Sequence, residues 1–512
     1  MPAIEVVRSG PIGHLRNNAA EWWFKDPGLL KLAPAIFIGF MSSVNMGYDA
    51  SLINGLLANP RFVADLHLRT SSELGMVVSF FTLGSIASTI PAPIIADRFG
   101  RRVAMFCGYT LVIAGSLTQT FTTGGMKMLG GRIIVGCGVG MAQIGGNPYL
   151  SEIAHPRNRT EVTALGQTCF YIGAILAAWT TFGSLSIPGS WSWRMCTLLQ
   201  IAVPIICIVS LPFLPESPRW LVSRGRIDDA HNTLAKYHAN GDKDDELVLF
   251  ELDGITEAIR TEQNARKATP LEFFATKGNR HRGFIVIMCG ILSQWAGNGI
   301  LMFYLVPILN SVGMTDSTKQ TAFNGGLQVF NWLASVGGSL VSERVGRRKL
   351  WLGATIGMLA SFIVLTACSA VYAEKGTEAA GSTVLAFLFI FYGMYAVGYT
   401  PLVVAYSVEI LPFHLRTTGM GLLTFTVGCM GFFNAYINPI ALDSIAWKYY
   451  FVYIGILSVA LVVIWFCFPE TKGRTLEEIE TVFDGHDQVT DSAPSTAVVD
   501  KSDLDHVEVL EK

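Results

Sequence analysis

The sequence predicts an all-α membrane protein of twelve transmembrane helices, arranged as two pseudo-symmetric halves of six. Three observations carry that expectation. The chain is apolar: of its 512 residues 51% are hydrophobic and 15% charged, with a mean hydropathy of +0.43, whereas a soluble domain carries about a quarter charged residues. The apolar residues gather into twelve runs of roughly 20, the length that crosses the hydrocarbon core of a bilayer. Three polar motifs also occur twice, in the same order. Asp97-Arg98-Phe99-Gly100-Arg101-Arg102 is echoed 246 positions later by Glu343-Arg344-Val345-Gly346-Arg347-Arg348. Glu152 and Arg159 are echoed by Glu409 and Arg416, and Pro215-Glu216 by Pro469-Glu470, at offsets of 257 and 254. One basic loop repeated is weak evidence; shared order and offset indicate a duplicated architecture.

The elements follow in order. Residues 1–30 are polar and end near Trp22, Trp23 and Phe24, aromatics suited to a membrane interface. The first half, 31–214, holds runs at about 31–56, 74–96, 103–121, 126–150, 162–185 and 195–214. Residues 215–282 form a polar loop with amphipathic helices: Val248, Leu252, Ile255 and Ile259 fall on one face at helical spacing. This helix is expected to lie against the end of the bundle. The second half, 283–468, holds runs at about 283–312, 320–342, 350–372, 383–408, 417–441 and 449–468. Residues 469–512 form an acidic tail with eight acids and two lysines beyond Phe483, expected to be largely disordered. Backbone groups inside lipid must be satisfied locally, so the runs are helices.

The basic residues set the orientation. Arg98, Arg101, Arg102, Arg157, Arg159, the 219–282 stretch, Arg344, Arg347, Arg348, Lys349 and Arg416 all fall in even-numbered connections. The odd connections are neutral or mixed. Positive loops stay in the cytosol, which puts both termini there too. On that side the sequon Asn158-Arg159-Thr160 is a chance match. No removable signal peptide is visible in the first 30 residues. The nine cysteines lie inside apolar runs without Cys-x-x-Cys spacing, so they read as small hydrophobic residues. A net charge of −2 gives no reason to expect a nucleic-acid partner. His155, His231 and His281 lack metal-like spacing, and no catalytic constellation stands out, so an enzyme is not expected.

Three groups of polar residues point to transport. Asp49 lies roughly 27 Å into the first run at 1.5 Å per residue. An ionisable group at that depth is a functional candidate by default. Arg132, near the start of the fourth run, is its natural partner. Burial and an opposite charge act on a carboxyl in opposite directions, so a carboxylate held between them can exchange a proton as the partner moves. A permanent structural ion pair, or a water-exposed Asp at a helix break, is the alternative. Second, the repeated loops offer acids and arginines suited to a gate: Asp97 with Arg101, Glu152 with Arg159, Glu216 with Arg219, Glu343 with Arg347, and Glu409 with Arg416. Arginines that merely anchor topology are the competing reading. Third, amides inside the spans both donate and accept hydrogen bonds, which suits an uncharged polyhydroxylated ligand. These are Gln167, Gln294, Asn298, Asn331, Asn434 and Asn438. Tyr304, Trp295, Phe303, Trp332 and Tyr399 could stack on a sugar ring. Amides also glue helices, and aromatics also pack.

These motifs resemble the sugar porter family of the major facilitator superfamily. The matching elements are Gly47-Tyr48-Asp49, the Asp97–Arg102 loop, Gly131-Arg132, Arg159 with Gln167 eight positions on, Pro215-Glu216-Ser217-Pro218-Arg219, Glu343 to Arg348, Glu409-Ile410-x-Pro412 with Arg416, and Pro469-Glu470-Thr471-Lys472-Gly473. The resemblance covers about residues 30 to 480. It implies the major facilitator fold and alternating access between two halves. It further implies that Asp49 and Arg132 resemble the ion pair of proton-coupled members, uniporting members having Asn at that place. The sequence departs from the hexose carriers in three places. Ser293-Gln294-Trp295-Ala296-Gly297-Asn298-Gly299 replaces Gln-Gln-x-x-Gly-x-Asn, Val404 stands where a Trp is expected, and Ala174 stands where a second Gln is expected. A roomier site, similar to that of the fungal lactose-permease-like branch, is implied. The expectation is therefore a plasma-membrane sugar:proton symporter for a disaccharide such as lactose, a related glycoside or a hexose. It would need no cofactor beyond a proton gradient and would work as a monomer. A carrier of a non-sugar metabolite, or a sugar sensor without transport, remains open.

Overall fold

The computed structural model describes residues 17–18, 23–68, 70–264, 270–472, 479 and 481–483. Trp22 and the acidic tail beyond Phe483 lie outside them. Among the described residues all regular structure is helical. The first half comprises α1 (Pro27–Ala58), α2 (Pro60–Asp65), α3 (Ser71–Ser88), α4 (Pro91–Phe99), α5 (Arg101–Thr120), α6 (Gly125–Ile153), α7 (Arg159–Ser184), α8 (Trp191–Leu199) and α9 (Ala202–Ser210). A polar unit follows, α10 (Pro218–Ser223), α11 (Ile227–His238) and α12 (Glu246–Asn264). The second half comprises α13 (Lys277–Trp295), α14 (Asn298–Phe303), α15 (Leu305–Ser311), α16 (Ser317–Val345), α17 (Arg347–Lys375), α18 (Glu378–Ile410), α19 (Phe413–Ile445) and α20 (Tyr450–Cys467).

Nine helical stretches among the described residues are long and apolar enough to cross a membrane, and α3 with α4 makes a tenth, bent by 44°. One of the nine, Thr418–Cys467, runs for 50 residues and is two helices, α19 and α20, parted at Ala446. The 29-residue α16 is long enough to span, but Gln320, Asn324, Gln328 and Asn331 lower its hydropathy. With α16 counted and α19 and α20 taken separately, the described residues thus hold twelve spans, several of them broken. Pro91 starts α4 after the bend because its fixed φ and missing N–H suit a first helical turn. Gly297, between α13 and α14, has a φ of +104°, a left-handed value that glycine adopts freely. A Cβ there would sit 2.3 Å from Phe362.

Each half has its own core. Trp351, Phe362, Phe391 and Tyr399 centre the second half's cluster, while Tyr109, Tyr149 and Ile38 belong to one in the first. A further cluster crosses between halves: Tyr48, Leu52, Ile53, Val77 and Val78 pack with Tyr304 and Ala435. The expected stripe of α12 is turned toward α10 and α11, not directly onto the bundle. Val248 and Ile259 are buried with Leu221, Ala230 and Leu234. This small unit then docks on the start of α1, where Gly28 N donates to Asn240 Oδ1 at 2.7 Å and Asn240 Nδ2 to Asp26 Oδ2 at 2.9 Å.

The arginine-bearing connections share one end of the molecule. Within the first half, Arg101 of α5 meets Glu152 of α6. Within the second, Arg347 of α17 meets Glu409 of α18. Ser71 and Ser72, at the start of α3, hydrogen-bond Asp443 and Tyr436 near the end of α19. The start of α19, with Arg416, therefore faces the same end of the molecule as the end of α4, with Asp97 and Arg98. This is called the basic end below.

Candidate transport site

Asp49 and Arg132 meet as their chemistry predicts. Arg132 Nη1 donates to Asp49 Oδ1 at 2.8 Å, and both side chains are buried. Arg132 is further fixed by a bond from Nε to the Val77 carbonyl at 3.0 Å and lies 5.0 Å over the Phe81 ring. A residue the sequence reading missed completes the group: Gln200, at the break between α8 and α9, donates Nε2 to Asp49 Oδ1 at 3.0 Å. An amide inside an apolar run was the available signal.

The amides divide into free and committed. Gln167 is exposed although it sits in a span. It lies two residues, about 200°, from the exposed Leu165, and one turn before Tyr171, whose hydroxyl meets Thr400 of α18 at 3.3 Å. Gln167 therefore opens into the space between the halves, not into lipid. Asn298 Oδ1 and Asn331 Oδ1 are buried without a hydrogen-bond partner, and so is Trp332 Nε1. Gln294 is half-buried beside them in sequence. Asn331 ends a stripe on α16 with Asn324 and Gln328, spaced i, i+4, i+7. Asn324 Nδ2 reaches Ser51 of α1 at 3.3 Å. That stripe was readable in the sequence and was passed over.

Three expected ligands are spent on the fold. Asn434 Nδ2 donates to the Gln294 carbonyl at 2.6 Å, and its Oδ1 accepts from Asn438 Nδ2 at 2.8 Å and from Tyr453 at 3.3 Å. Asn438 Oδ1 in turn accepts from Tyr449 and Tyr453. The Tyr304 hydroxyl donates to the Ala435 carbonyl inside the cluster between halves. An amide with its bonds filled and a sealed phenol offer a sugar little. Trp295 and Tyr399 likewise hydrogen-bond within the second half, to Met430 and Thr355. The side chain of Phe303 lies outside those described.

At the basic end the acids and arginines pair differently from their sequence spacing. Arg101 joins Asp97 at 2.8 Å and Glu152 at 3.3 Å. Glu152 does not take Arg159, which instead pairs with Glu251 of α12 at 2.7 Å. Arg219 pairs with Glu262, not with Glu216. Glu216 caps α5 instead: Arg101 N and Arg102 N donate to its oxygens at 3.2 and 3.4 Å. A carboxylate is favoured there because the first N–H groups of a helix lack internal partners. Gly100 makes the room, since a Cβ would lie 2.4 Å from Glu216 Oε2. The second half repeats the device. Arg347 N and Arg348 N donate to Glu470 at 2.8 and 3.2 Å, and Gly346 makes the room. Arg347 pairs with Glu409 at 3.0 Å. The side chain of Glu343 lies outside those described, and Arg416 makes no ion pair among the described residues. The Glu152 and Glu409 pairs thus fasten each half to itself and do not tie one half to the other.

A family model described as sugar (and other) transporter matches residues 34–483. The chain belongs to this sugar transporter family. It is a family of transporters, not of enzymes. Among its relatives, a high-affinity glucose transporter of Kluyveromyces lactis is 27% identical over 92% of this chain and 88% of its own length. An MFS-type transporter of Aspergillus cristatus is 27% identical over 88% of this chain and 93% of its own. The inward open xylose transporter XylE from E. coli superimposes with a TM-score of 0.73 at 20% identity, over 88% of this chain and 99% of that one. The sugar transporter chain therefore has the major facilitator fold.

Proposed function

We propose that the chain carries a sugar together with a proton across the plasma membrane, by alternating access, with its basic end and both termini in the cytosol. It works as a monomer in the bilayer and uses no cofactor. The observation that carries the reading is the fully buried ion pair of Asp49 and Arg132 inside the first half. A buried pair is weak evidence for stability, whereas an intramembrane carboxylate in a transporter family is a strong candidate for moving a proton. Gln167, Gln294, Asn298 and Asn331 are the amides left to meet the sugar, with Gln328 beside them. The glucose transporter of K. lactis among the relatives supports a hexose, and the missing bulk at Val404 and Ala174 supports a disaccharide such as lactose or a related glycoside.

The deciding experiment uses the full chain in lipid vesicles. With Asp49→Asn, sugar exchange without a gradient should persist, while accumulation driven by an acid-outside gradient should fall to the passive level. Full accumulation by that variant would reject proton coupling. Competition with a panel of sugars, run in the same vesicles, names the substrate. Failure of every sugar to compete would favour a non-sugar metabolite, a reading that the A. cristatus relative's broader name leaves room for.

A further inference from the structure

The Asp49 carboxylate takes both of its hydrogen bonds on one oxygen. Arg132 Nη1 and Gln200 Nε2 each donate to Oδ1, at 2.8 and 3.0 Å. Oδ2 is buried without a partner, and Oε1 of the same Gln200 amide is buried without one as well. Gln200 is 1% exposed and Asp49 0%, so bulk water does not compensate either oxygen. A carboxylate and an amide carbonyl can only accept. Two residues joined by one hydrogen bond therefore each keep an idle acceptor with no hydrogen to share.

A single proton removes both defects. Placed on Oδ2, it makes an O–H that donates to Gln200 Oε1, while Gln200 Nε2 goes on donating to Oδ1. The acid and the amide then form a closed ring of two complementary hydrogen bonds. From this we infer that Asp49 and Gln200 together form the proton-binding site, with the proton seated on Oδ2 against the amide carbonyl. The inference rests on the proton-coupled reading above and says where the proton lands. One O–H bond forms and none in the protein breaks; the proton comes from bulk water, and the carboxylate charge goes to zero. Arg132 keeps its charge, its bond to the Val77 carbonyl and its place over Phe81, but loses the anion that held it toward α1. The other titratable groups facing this site are Tyr48 on the same helix, which donates to the Cys196 carbonyl at 2.9 Å, Cys196 itself on α8, and Tyr304 of the second half, which faces Arg132.

Infrared difference spectra of the full-length protein in lipid vesicles, recorded on acidification, test the assignment. A carboxylic C=O band should appear in the wild type and be absent in Asp49→Asn. In Gln200→Met, of similar length but unable to donate or accept at that point, the band should move to higher wavenumber, because a freed acid group loses its ring partner. Gln200→Asn keeps an amide but withdraws it by one methylene, and it should move the band the same way if Gln200→Met does not fold. A band that depends on Asp49 yet stays in place in both Gln200 variants overturns the inference and leaves proton coupling standing. No band removed by Asp49→Asn overturns the proton-coupled reading and this one with it.

Discussion

His155 and His238 meet where the α6–α7 loop touches α11, with ring centres 5.0 Å apart. His238 Nδ1 faces Glu251 Oε2 at 2.8 Å and Nε2 faces the Ile153 carbonyl at 3.2 Å. Each ring nitrogen of His238 thus faces an acceptor oxygen. His155 Nδ1 instead accepts from Arg157 N at 3.2 Å, which fixes the neutral ring. Burial, reinforced by His238, pushes His155 down to about 3. Burial pushes Glu251 up, but His238 and Arg159 outweigh it and hold the carboxyl below its usual range. Between the unfolded value of His155 near 6.5 and about 3 the unfolded chain binds the proton and the folded chain does not, so stability is complete above 6.5 and is lost as pH falls. At pH 5 the loss amounts to about 2 kcal/mol at 1.36 kcal/mol per unit. His155→Gln should therefore flatten the difference in apparent Tm between pH 7.5 and pH 5 in detergent; an unchanged slope would refute the assignment. This histidine pair was not legible in the sequence. His155 and His238 are 83 positions apart, in a loop and at the end of a helix that neither periodicity nor charge pattern connects. Asp49 and Arg132 were legible, because a charge in an apolar run requires an opposite charge in another.

The helices set how closely the spans approach. Where α1 crosses α7, a Cβ on Gly47 would lie 1.8 Å from the Phe170 carbonyl, and one on Gly173 1.9 Å from the Val44 carbonyl. Each glycine admits the other helix's backbone, a close packing that small residues permit in membranes. Gly173→Ala should push α1 and α7 apart and cost about 1–3 kcal/mol, read as a lower melting temperature, with transport falling alongside. Gly254→Ala on α12, where nothing lies within 4 Å, is the control and should be neutral or gain up to about 1 kcal/mol. Gly100→Ala should be worse than either. It combines a φ of +105° with a clash against the carboxylate that caps α5, and Glu216→Gln should reproduce only the capping part of the loss. The number and order of spans were legible at this scale, because lipid demands long apolar runs. The breaks at Gln200 and Gly297 were not, since hydropathy runs through them unbroken. The capping role of Glu216 was not legible because Glu216 and Arg219 stand near each other in sequence, while the helix start that takes the carboxylate lies more than a hundred residues earlier.

At the scale of the whole molecule, the halves are tied together at the end away from the arginines. Ser71 Oγ donates to Asp443 Oδ2 at 2.8 Å, Ser72 shares a bond with Tyr436 at 3.2 Å, and Asn324 reaches Ser51. The apolar cluster of Tyr48, Leu52 and Val77 with Tyr304 and Ala435 seals the same region. Asp49 sits one residue from Tyr48 in that seal, whereas Gln167 lies nearer the basic end and remains exposed. Asp49 is thus shut in the same arrangement that leaves Gln167 open. Alternating access requires the seal to part when the basic end closes. Asp49 is held inside the first half, so losing its charge can loosen α1 from α6 without breaking any bond between halves. Ser71→Cys with Asp443→Cys, in a protein whose nine native cysteines are replaced, tests the motion. Joined by a short cleavable thiol reagent, the protein should lose uptake from the Asp49-bearing end by at least tenfold, while sugar still binds from the basic end. Cleavage should restore uptake. Full uptake with the link in place would mean that this end never opens, and the two-sided cycle would fall with it.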